Sequence, residues 1–554
     1  MSENSDPKLD SSSCSKSNSI LNSIFNSVPN NNRRDFLRFL GGSLAVSALT
    51  ANAIQANVIK VTKPKIKGLR PTLKDKLILA DGLTFDILIK EGAPLTNELS
   101  FGTNNDFTQF VALKNNKFGL WVNHESFTSS LAIERHRSQT PTLEQYYAER
   151  KLLGGSFFEI TKTKKGQWQI VKDSSYNTRL SGESEIPFVK NQKIAGSSVA
   201  IGTFANCSGG LTPWNTILTC EENYQHYYGD FDRKENKSFE SPKGVLWNRI
   251  SPLDPRHYGW VVEFDPETKK SQKLIGLGRF SHECAKTVVN KDGYPVVYSG
   301  DDTDDECLYK FVSKNKNSLE EGELFVASLE KKQWLSLDIN KNKALKKAFK
   351  NQTEVLTFCR EAAKIVGGTP LARPEDIEID PLNGQVYVAL TNNKTKLNYH
   401  GSILKIVEPE NNYASTTFEH DTFLTGGDKS GLSCPDNMTF DKVGNLWITS
   451  DIPGNYINKW PFKTFGNNGL FVVPRSGPNA GQVIQVASAP NEAELTGPCF
   501  SPDYKTLFLS VQHPGEMTAK GKPYTSHWPE GKKASKPMSA VVMITGTLIE
   551  TLMA

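Results

Sequence analysis

A cysteine and two glutamates stand together where a short strand is predicted to end. The strand covers residues 216–219 and runs directly into Cys220, Glu221 and Glu222. A thiolate is a soft metal ligand and carboxylates are hard ones. A centre that takes both therefore suits iron, or iron beside a harder ion, better than calcium or magnesium alone. A buried cysteine beside two solvated glutamates is the plain alternative, because free cysteine is a common core residue.

Polar clusters recur beside other short strands of the chain. In each of six copies a polar or acidic cluster precedes an alternating strand, a turn follows, and a second strand ends in polar residues. Carboxylates together with an amide suit calcium, which takes about six to eight oxygen ligands. Besides Cys220 and Glu221, the candidate metal ligands in these clusters are Glu125, Glu283, Glu375, Asp376, Asp436 and Asn437.

The recurring unit predicts the elements that must position these side chains. The strands alternate and are rich in Val, Ile, Phe and Trp, as half-buried strands are. Turns such as 291–293 and 383–384 have hairpin chemistry. Six copies with several strands each predict an all-β fold, a six-bladed β-propeller with helical or loop insertions near 126–155 and 313–370. A β-sandwich is the alternative, but it does not require polar clusters at matching strand ends.

A propeller would bring distant clusters to one place. The first strand of each blade lines the central channel, so residues just before those strands converge on one mouth. Glu283, Glu375 and Asp436 are expected to meet there, and so many facing carboxylates could not all stay ionised without cations. We expect the ends of the second strands at the opposite end of the hairpin, unless strand order or a crossing loop returns them. The sequence therefore does not decide whether Cys220 and Glu221 lie at this mouth or at the opposite end of the blade.

Arg373 is the candidate for binding an anion. It stands two residues before Glu375, and a guanidinium fork can hold a phosphate through two hydrogen bonds. The alternative is a salt bridge that only orients Glu375. His282 is either a partner of the neighbouring Glu283 or a core histidine. The acidic run 301–306 lacks the spacing of an EF-hand, so we expect a solvated loop in which Asp301 or Asp302 comes closest to the site.

Composition excludes several classes of protein. The chain has 554 residues and a net charge of +5 without an arginine–aromatic stripe, which argues against a nucleic-acid partner. No apolar stretch long enough to span a membrane follows the N-terminus, so no stable membrane anchor is expected. Hydrolase GxSxG, dinucleotide GxGxxG and P-loop motifs are absent from the sequence. The eight cysteines form no CxxC pair; we predict no disulfide framework, with Cys207 and Cys220 as one candidate pair.

The N-terminal region has the pattern of an export signal. Residues 1–31 are rich in Ser and Asn and are expected to be disordered. Residues 32–53 carry Arg33 and Arg34, then a mildly apolar run that ends in small residues, which is the order of a twin-arginine signal peptide. We therefore expect one propeller domain over 54–554, periplasmic or secreted, exported by the twin-arginine machinery and monomeric.

Several long motifs occur in the order found in one known family. They are NCSGG, TPWNTILTCEEN, GRFSHECA, VVYSGDD, ARPEDIEIDP, PDNMTFD and SPDYKTLFLSVQHPGE. Together with the twin-arginine leader, they closely resemble the PhoX family of bacterial alkaline phosphatases from about residue 104 to residue 516. Asn215 departs from this pattern because the family motif has Gly there, and so do the extra thiols of Cys284, Cys307 and Cys434.

The resemblance implies a metal-dependent phosphatase that hydrolyses phosphate monoesters through a metal-bound oxo or hydroxide nucleophile. It implies a six-bladed propeller with two ferric ions (Fe3+), calcium ions (Ca2+) and a cysteine bridging the irons. In this sequence it makes Cys220 the bridge, and Glu283 and Glu375 iron or calcium ligands. Arg373 becomes the catalytic, phosphate-binding arginine. Glu125, Glu221, Asp376, Asp436 and Asn437 remain further metal-shell candidates.

Two other functions fit parts of the sequence. A calcium-only propeller hydrolase, such as a lactonase or phosphodiesterase, would use Asp436 and Asn437 but would not need Cys220. A propeller that binds a partner or a glycan could hold calcium for its structure alone. Because an iron–thiolate centre absorbs visible light, the colour of the pure protein separates these alternatives from the phosphatase.

Overall fold

Six antiparallel sheets follow one another around a central channel and form the blades of a propeller, as predicted. The computed structural model describes residues 65–127, 138–519, 521–533 and 535–554, all within one compact unit, 62–554. The predicted signal peptide, 32–53, lies outside the described residues. Within these ranges, no helix has both the length and the apolar character needed to cross a membrane.

In blades 1 to 4 the strands follow chain order from the channel outward. Blade 1 contains Asn105–Ala112, Phe118–His124, Gly154–Lys162 and Trp168–Ile170, with Thr178–Leu180 paired to its third strand. Blade 2 contains Asn206–Leu211, Ile217–Glu221, Val261–Asp265 and Lys270–Leu274. Blade 3 contains Lys286–Val289, Pro295–Gly300, Leu308–Ser313, Gly322–Ser328 and Gln333–Ser336. Blade 4 contains Pro374–Ile379, Val386–Leu390, Ser402–Val407 and Glu419–Thr425.

The last two blades are completed by strands from the start of the described chain. Blade 5 contains Pro435–Phe440, Leu446–Ser450, Gly469–Val473 and Ile484–Ser488, with Ile78–Leu79 at its outer edge. Blade 6 contains Glu494–Phe500, Leu507–Gln512 and Ala540–Thr545, with Thr84–Lys90 outermost. The inner strands of blades 6 and 1 contact each other as other neighbouring blades do. Pairing early strands with late ones therefore closes the ring of blades.

Helices occur mainly in connections between strands. The predicted insertion near 126–155 contains Leu143–Leu152, which begins with a capping box formed by Thr142 and Gln145. The predicted insertion 313–370 is shorter than expected, because 322–336 supplies two strands of blade 3 and the helical part begins at Lys343. In the described part of the chain the α-helices are Leu143–Leu152, Gln225–Tyr228, Lys343–Ala348, Gln352–Thr357, Cys359–Val366 and Thr547–Met553. Two small hairpins pair Glu185–Pro187 with Val199–Ile201 and Asp230–Asp232 with Lys237–Phe239.

The blades are held together by apolar side chains between their faces. Between blades 2 and 3, Leu218, Val261, Val297 and Tyr309 pack in one buried cluster with residues of the helical insertion. A continuous apolar layer between sheets is the main stabilising contribution in such a fold. The blades therefore form a fixed frame for the ends of their inner strands.

Candidate metal centre

A β-bulge interrupts the inner strand of a blade where that strand begins. In blade 1 two residues, Asp106 and Phe107, stand opposite the single residue Asn123. A bulge of this kind re-aims side chains and is common beside functional sites. Blades 2, 4 and 5 carry the same irregularity, and in blade 3 Glu283 follows an isolated bridge at the matching position. The first residues at these five positions are Asp106, Cys207, Glu283, Glu375 and Asp436.

The ends of the second strands lie at this same mouth. Asn105 pairs with His124, and Asn206 pairs with Glu221, so the first residues of an inner strand stand beside the last residues of the next strand. The expectation that these ends lie at the opposite end of the hairpin is wrong, because antiparallel pairing places the start of one strand beside the end of its partner. Residues at or just after these ends include Glu125, Glu222, Asp302 and Asp451.

Two overlapping groups of ligand atoms occupy the mouth. Among the described residues, the ligand atoms of Cys207, Glu222 and Glu283 lie within 4.8 Å of one another, and so do those of Glu283, Glu375 and Asp436. Sγ of Cys207 lies 3.3 Å from Oε1 of Glu283. We call these five residues, together with Arg373, the mouth pocket. Glu283 belongs to both groups and could therefore contact two adjacent cations.

Burial and mutual repulsion raise the pKa of acidic groups in the mouth pocket and beside it. The pKa of Glu283 is raised well above its usual value by burial, and further by the charges of Glu375 and Glu222. Burial and the neighbouring Glu125 raise the pKa of Asp106 to about 8. The Cys207 thiol has a raised pKa for the same reasons, burial first and then Asp106 and Glu283. Bound cations would reverse these shifts, because they stabilise the ionised forms.

Several buried oxygen atoms at the mouth accept no hydrogen bond from any described residue. They include Oδ1 of Asp302 and Oε1 of Gln512. Buried acceptors without a partner are rare in proteins, and binding of an ion is one ordinary explanation for them. A thiol, carboxylates and unpaired oxygen atoms form a donor set that fits metal ions of both soft and hard character.

Cys220 does not join the mouth pocket, and Cys207 stands where a thiol was expected. Cys220 is the single residue opposite the bulge of Cys207 and Ser208. It is fully buried in the apolar cluster between blades 2 and 3, alongside Leu218. Side chains alternate along a strand, so Thr219, which stands between Leu218 and Cys220, points to the opposite face, toward blade 1. Its hydroxyl donates to Oδ1 of Asn123 at 2.7 Å. The candidate metal-binding thiol is therefore Cys207, in place of Cys220.

Glu221 and Glu222 have different surroundings. Oε1 of Glu221 lies 2.6 Å from Nζ of Lys273, and both side chains are fully buried. Oε2 of Glu221 accepts hydrogen bonds from the backbone amides of Gly259 and Trp260 at 2.9 and 3.1 Å. Glu221 is therefore paired with Lys273 inside blade 2, and Glu222 is the glutamate that reaches the mouth pocket.

Three further predicted ligands lie around the mouth pocket without joining either group. Oε2 of Glu125 accepts from Nε2 of Gln512 at 2.8 Å, and Nε2 of Gln512 lies 3.3 Å from Asp106. Nδ2 of Asn437 lies 3.4 Å from Oε1 of Glu283, and Oδ1 of Asn437 accepts from the amide of Gly497.

Asp376, the second residue of its bulge, accepts from the amide of Met438 at 2.8 Å. It lines a cavity of about 360 Å3 bounded by inner strands, which lies along the channel. The second bulge residues therefore face the channel, in contrast to the first.

Arg373 lies at the edge of the mouth pocket with its guanidinium held by two carboxylates. Nη2 lies 2.7 Å from Oδ2 of Asp302 and 2.9 Å from Oε1 of Glu375. The backbone of Arg373 has a φ of 52°, a left-handed conformation that costs free energy in a residue other than glycine. The salt bridge to Glu375 is therefore present, and it places the guanidinium beside the predicted metal ligands.

His282, the acidic run 301–306 and Asn215 were the other positions singled out in the sequence. His282 is fully buried. Its Nδ1 lies 2.8 Å from the hydroxyl of Ser299 and its Nε2 lies 2.8 Å from the carbonyl of Gly278, so it is a core histidine. The run 301–306 is not a solvated loop throughout, because Asp301, Asp302 and Glu306 are buried. Asn215 has a φ of 64°, the conformation for which the family motif uses glycine.

Sequence reasoning missed Cys207 and Glu222 as candidate ligands, and Asp106 as a neighbour of the mouth pocket. Cys207 and Asp106 each stand near the start of an inner strand, so the rule applied to Glu375 would have found both. Glu222 follows a second strand, and the wrong placement of those strand ends hid it.

Comparisons with known proteins identify the family of the chain. The family model "Alkaline phosphatase PhoX" matches residues 65–515. A solved structure of Pseudomonas fluorescens PhoX in complex with vanadate, a transition state analogue, is similar with a TM-score of 0.76 and 30% identity, covering 87% of this chain and 98% of that one. A gluconolactonase of Xanthomonas campestris is similar with a TM-score of 0.35 and 10% identity, covering 87% of this chain and 98% of that one. No curated protein matches the chain in sequence. The chain belongs to the PhoX family of alkaline phosphatases, which are phosphate monoester hydrolases.

Proposed function

We propose that this phosphatase hydrolyses phosphate monoesters in the mouth pocket, with iron and calcium ions held by its thiol and carboxylates. One observation carries the proposal: side chains from blades 2 to 5, among them Cys207, Glu283 and Glu375, meet beside the guanidinium of Arg373. The similar Pseudomonas fluorescens structure is a complex with vanadate, a transition state analogue, which supports phosphoryl chemistry for this chain as well.

The two ligand groups differ in chemical character. Cys207 with Glu222 and Glu283 combines a thiol with carboxylates, which suits ferric iron. Glu283, Glu375 and Asp436 provide carboxylates alone, which suit calcium or a second iron. When bound, such metals lower the pKa of water to give a nucleophile and neutralise phosphoryl oxygens.

Arg373 would bind the phosphoryl group from the edge of the mouth pocket. Asp302 and Glu375 both contact its Nη2, which fixes the plane of the guanidinium. A fixed planar fork matches phosphate oxygens better than a flexible ammonium does. Positioned donors of this kind stabilise charge that develops on the equatorial oxygens during phosphoryl transfer.

The construction of the mouth pocket suits a protein that folds before it is exported. The candidate ligands of the pocket come from four consecutive blades and meet only after these blades have packed together. We propose that the twin-arginine signal at 32–53 carries the folded, metal-loaded protein to the periplasm or beyond. Replacing Arg33 and Arg34 by Lys should leave the phosphatase in the cytoplasm; export of that variant would contradict this route.

The test uses the purified full chain with p-nitrophenyl phosphate as substrate and metal analysis of the same sample. We expect hydrolysis together with bound iron and calcium, loss of activity after chelation, and recovery with both metals. Activity restored by calcium alone, or hydrolysis of bis(p-nitrophenyl) phosphate or a lactone instead, would favour a calcium-only hydrolase. Metal binding without any hydrolysis would favour a binding propeller.

A further inference from the structure

An arginine of the helical insertion reaches the loop beside the mouth pocket. Arg360 lies on the helix Cys359–Val366, outside the blades. Its Nε donates to Oδ2 of Asp301 at 2.7 Å, and its Nη2 donates to Oδ1 at 2.5 Å. Asp301 is fully buried and Arg360 is 26% exposed. A fork on a buried carboxylate is among the stronger contacts a protein makes.

The same guanidinium contacts both sides of Asp302. Nη2 of Arg360 lies 2.9 Å from the hydroxyl of Thr303 and 3.0 Å from the hydroxyl of Ser281. The amide of Asp302 donates to the carbonyl of Ser281 at 3.0 Å. Arg360 therefore contacts the two chain neighbours of Asp302 and the residue that accepts from its amide.

Asp302 is in turn one of the two carboxylates on Nη2 of Arg373, at 2.7 Å. Arg360 therefore reaches the guanidinium of Arg373 through one turn, residues 301–303.

We propose that Arg360 is a positioning residue for phosphate binding: it holds the turn 301–303 so that Asp302 fixes the guanidinium of Arg373. The inference rests on the proposed role of Arg373 in binding phosphate. It gives the helical insertion a function in the site. A displacement of about 1 Å at a binding group is enough to change rates strongly.

The insertion offers a matched control. Arg233 lies 2.8 Å from Glu361, the residue after Arg360, and donates to the carbonyl of Ala348 at 2.8 Å. It anchors the same helix but makes no contact with the turn 301–303 among the described residues. The helix is also packed by buried Cys359, Ala362 and Ala363, so single arginine changes should leave it folded.

The experiment compares four variants of the metal-loaded full chain: Arg360→Lys, Arg360→Met combined with Asp301→Asn, Arg233→Lys, and Arg373→Lys. The paired change removes both charges at once, which avoids an unpaired buried carboxylate. For each variant we measure kcat and KM for p-nitrophenyl phosphate, inhibition by inorganic phosphate, bound iron and calcium, and thermal unfolding.

In both Arg360 variants we expect KM and the phosphate inhibition constant to rise about tenfold, as in Arg373→Lys, with a smaller change in kcat and unchanged metal content. Arg233→Lys should behave as wild type. Wild-type constants in the Arg360 variants, with raised ones in Arg373→Lys, would overturn the positioning role. Wild-type constants in Arg373→Lys would overturn the role of Arg373 and this inference with it. Equal rises in Arg233→Lys would show a structural effect of the insertion and also overturn the inference.

Discussion

Sγ of Cys207 lies 3.3 Å from Oε1 of Glu283, although the two residues begin different blades. Backbone hydrogen bonds between the blades fix this approach. The amide of Ser208 donates to the carbonyl of Glu283, and the amide of Ala285 donates to the carbonyl of Gly209, each at 3.1 Å. The thiol and the carboxylate therefore meet because neighbouring inner strands are joined at the bulge, and the flexibility of their side chains plays little part.

The shared ligand Glu283 provides the first prediction. Glu283→Gln should lose both metal groups at once and reduce phosphatase activity by at least about 100-fold, because a neutral amide removes a ligand common to both. Glu263→Gln is the matched control, since Glu263 is a buried glutamate of blade 2 that binds Trp214 and Thr216. Full metal content in Glu283→Gln would contradict the shared role.

Adjacent glutamates should respond in opposite ways. Glu222→Gln should lower iron content and activity with little effect on folding. Glu221→Gln should destabilise the protein by about 3–5 kcal/mol, because Lys273 would remain buried without its partner. Urea unfolding and iron analysis of both variants check this prediction. A loss of iron confined to Glu221→Gln would reverse the assignment of the two residues.

Removal of the metals should change the pH dependence of stability. The pKa values of Asp106 and Asp376 are raised from 3.8 to about 8 and about 7. The native metal-free protein therefore keeps protons that the unfolded chain has released. Its free energy of unfolding should fall as the pH rises from about 4 to about 8. Denaturant unfolding after chelation tests this, with the metal-loaded protein as control; a rise in the metal-free stability over this range would contradict it.

The departure at Asn215 should be nearly neutral. Its φ of 64° is tolerated by Asn better than by most residues and is free of strain in glycine. Asn215→Gly should therefore change the free energy of unfolding by less than about 1 kcal/mol, whereas Asn215→Val should cost about 1–2 kcal/mol. Chemical denaturation of the two variants measures the difference. A larger cost for Gly than for Val would show that the side chain of Asn215 matters more than its backbone.

The fold could be predicted from the sequence because its signals are local. Alternating strands, hairpin turns and a repeating order of polar clusters are each visible within about 20 residues, and six copies indicated six blades. The insertion was placed too early, because Gly322–Ser328 and Gln333–Ser336 have strand patterns that the nearby helical segments obscured.

The site could be predicted only in part. Glu283, Glu375 and Asp436 were identified correctly as residues that meet, because each stands near the start of an inner strand. Cys220 was preferred to Cys207 because it stands beside two glutamates in sequence. Which face of a strand a residue occupies depends on register, and the bulge at Cys207 changes that register. The bulge itself has no clear signal in a single sequence, although the position of Cys207 near the start of an inner strand is visible there.

The identity of the metal-binding thiol is the most direct test of the account. Cys207→Ser and Cys220→Ser should be purified side by side and their iron content and visible absorption compared with those of the wild type. We predict that Cys207→Ser loses iron, colour and hydrolysis of p-nitrophenyl phosphate, whereas Cys220→Ser keeps all three apart from reduced stability. An iron-loaded, coloured and active Cys207→Ser protein, or the loss of iron in Cys220→Ser alone, would contradict the account.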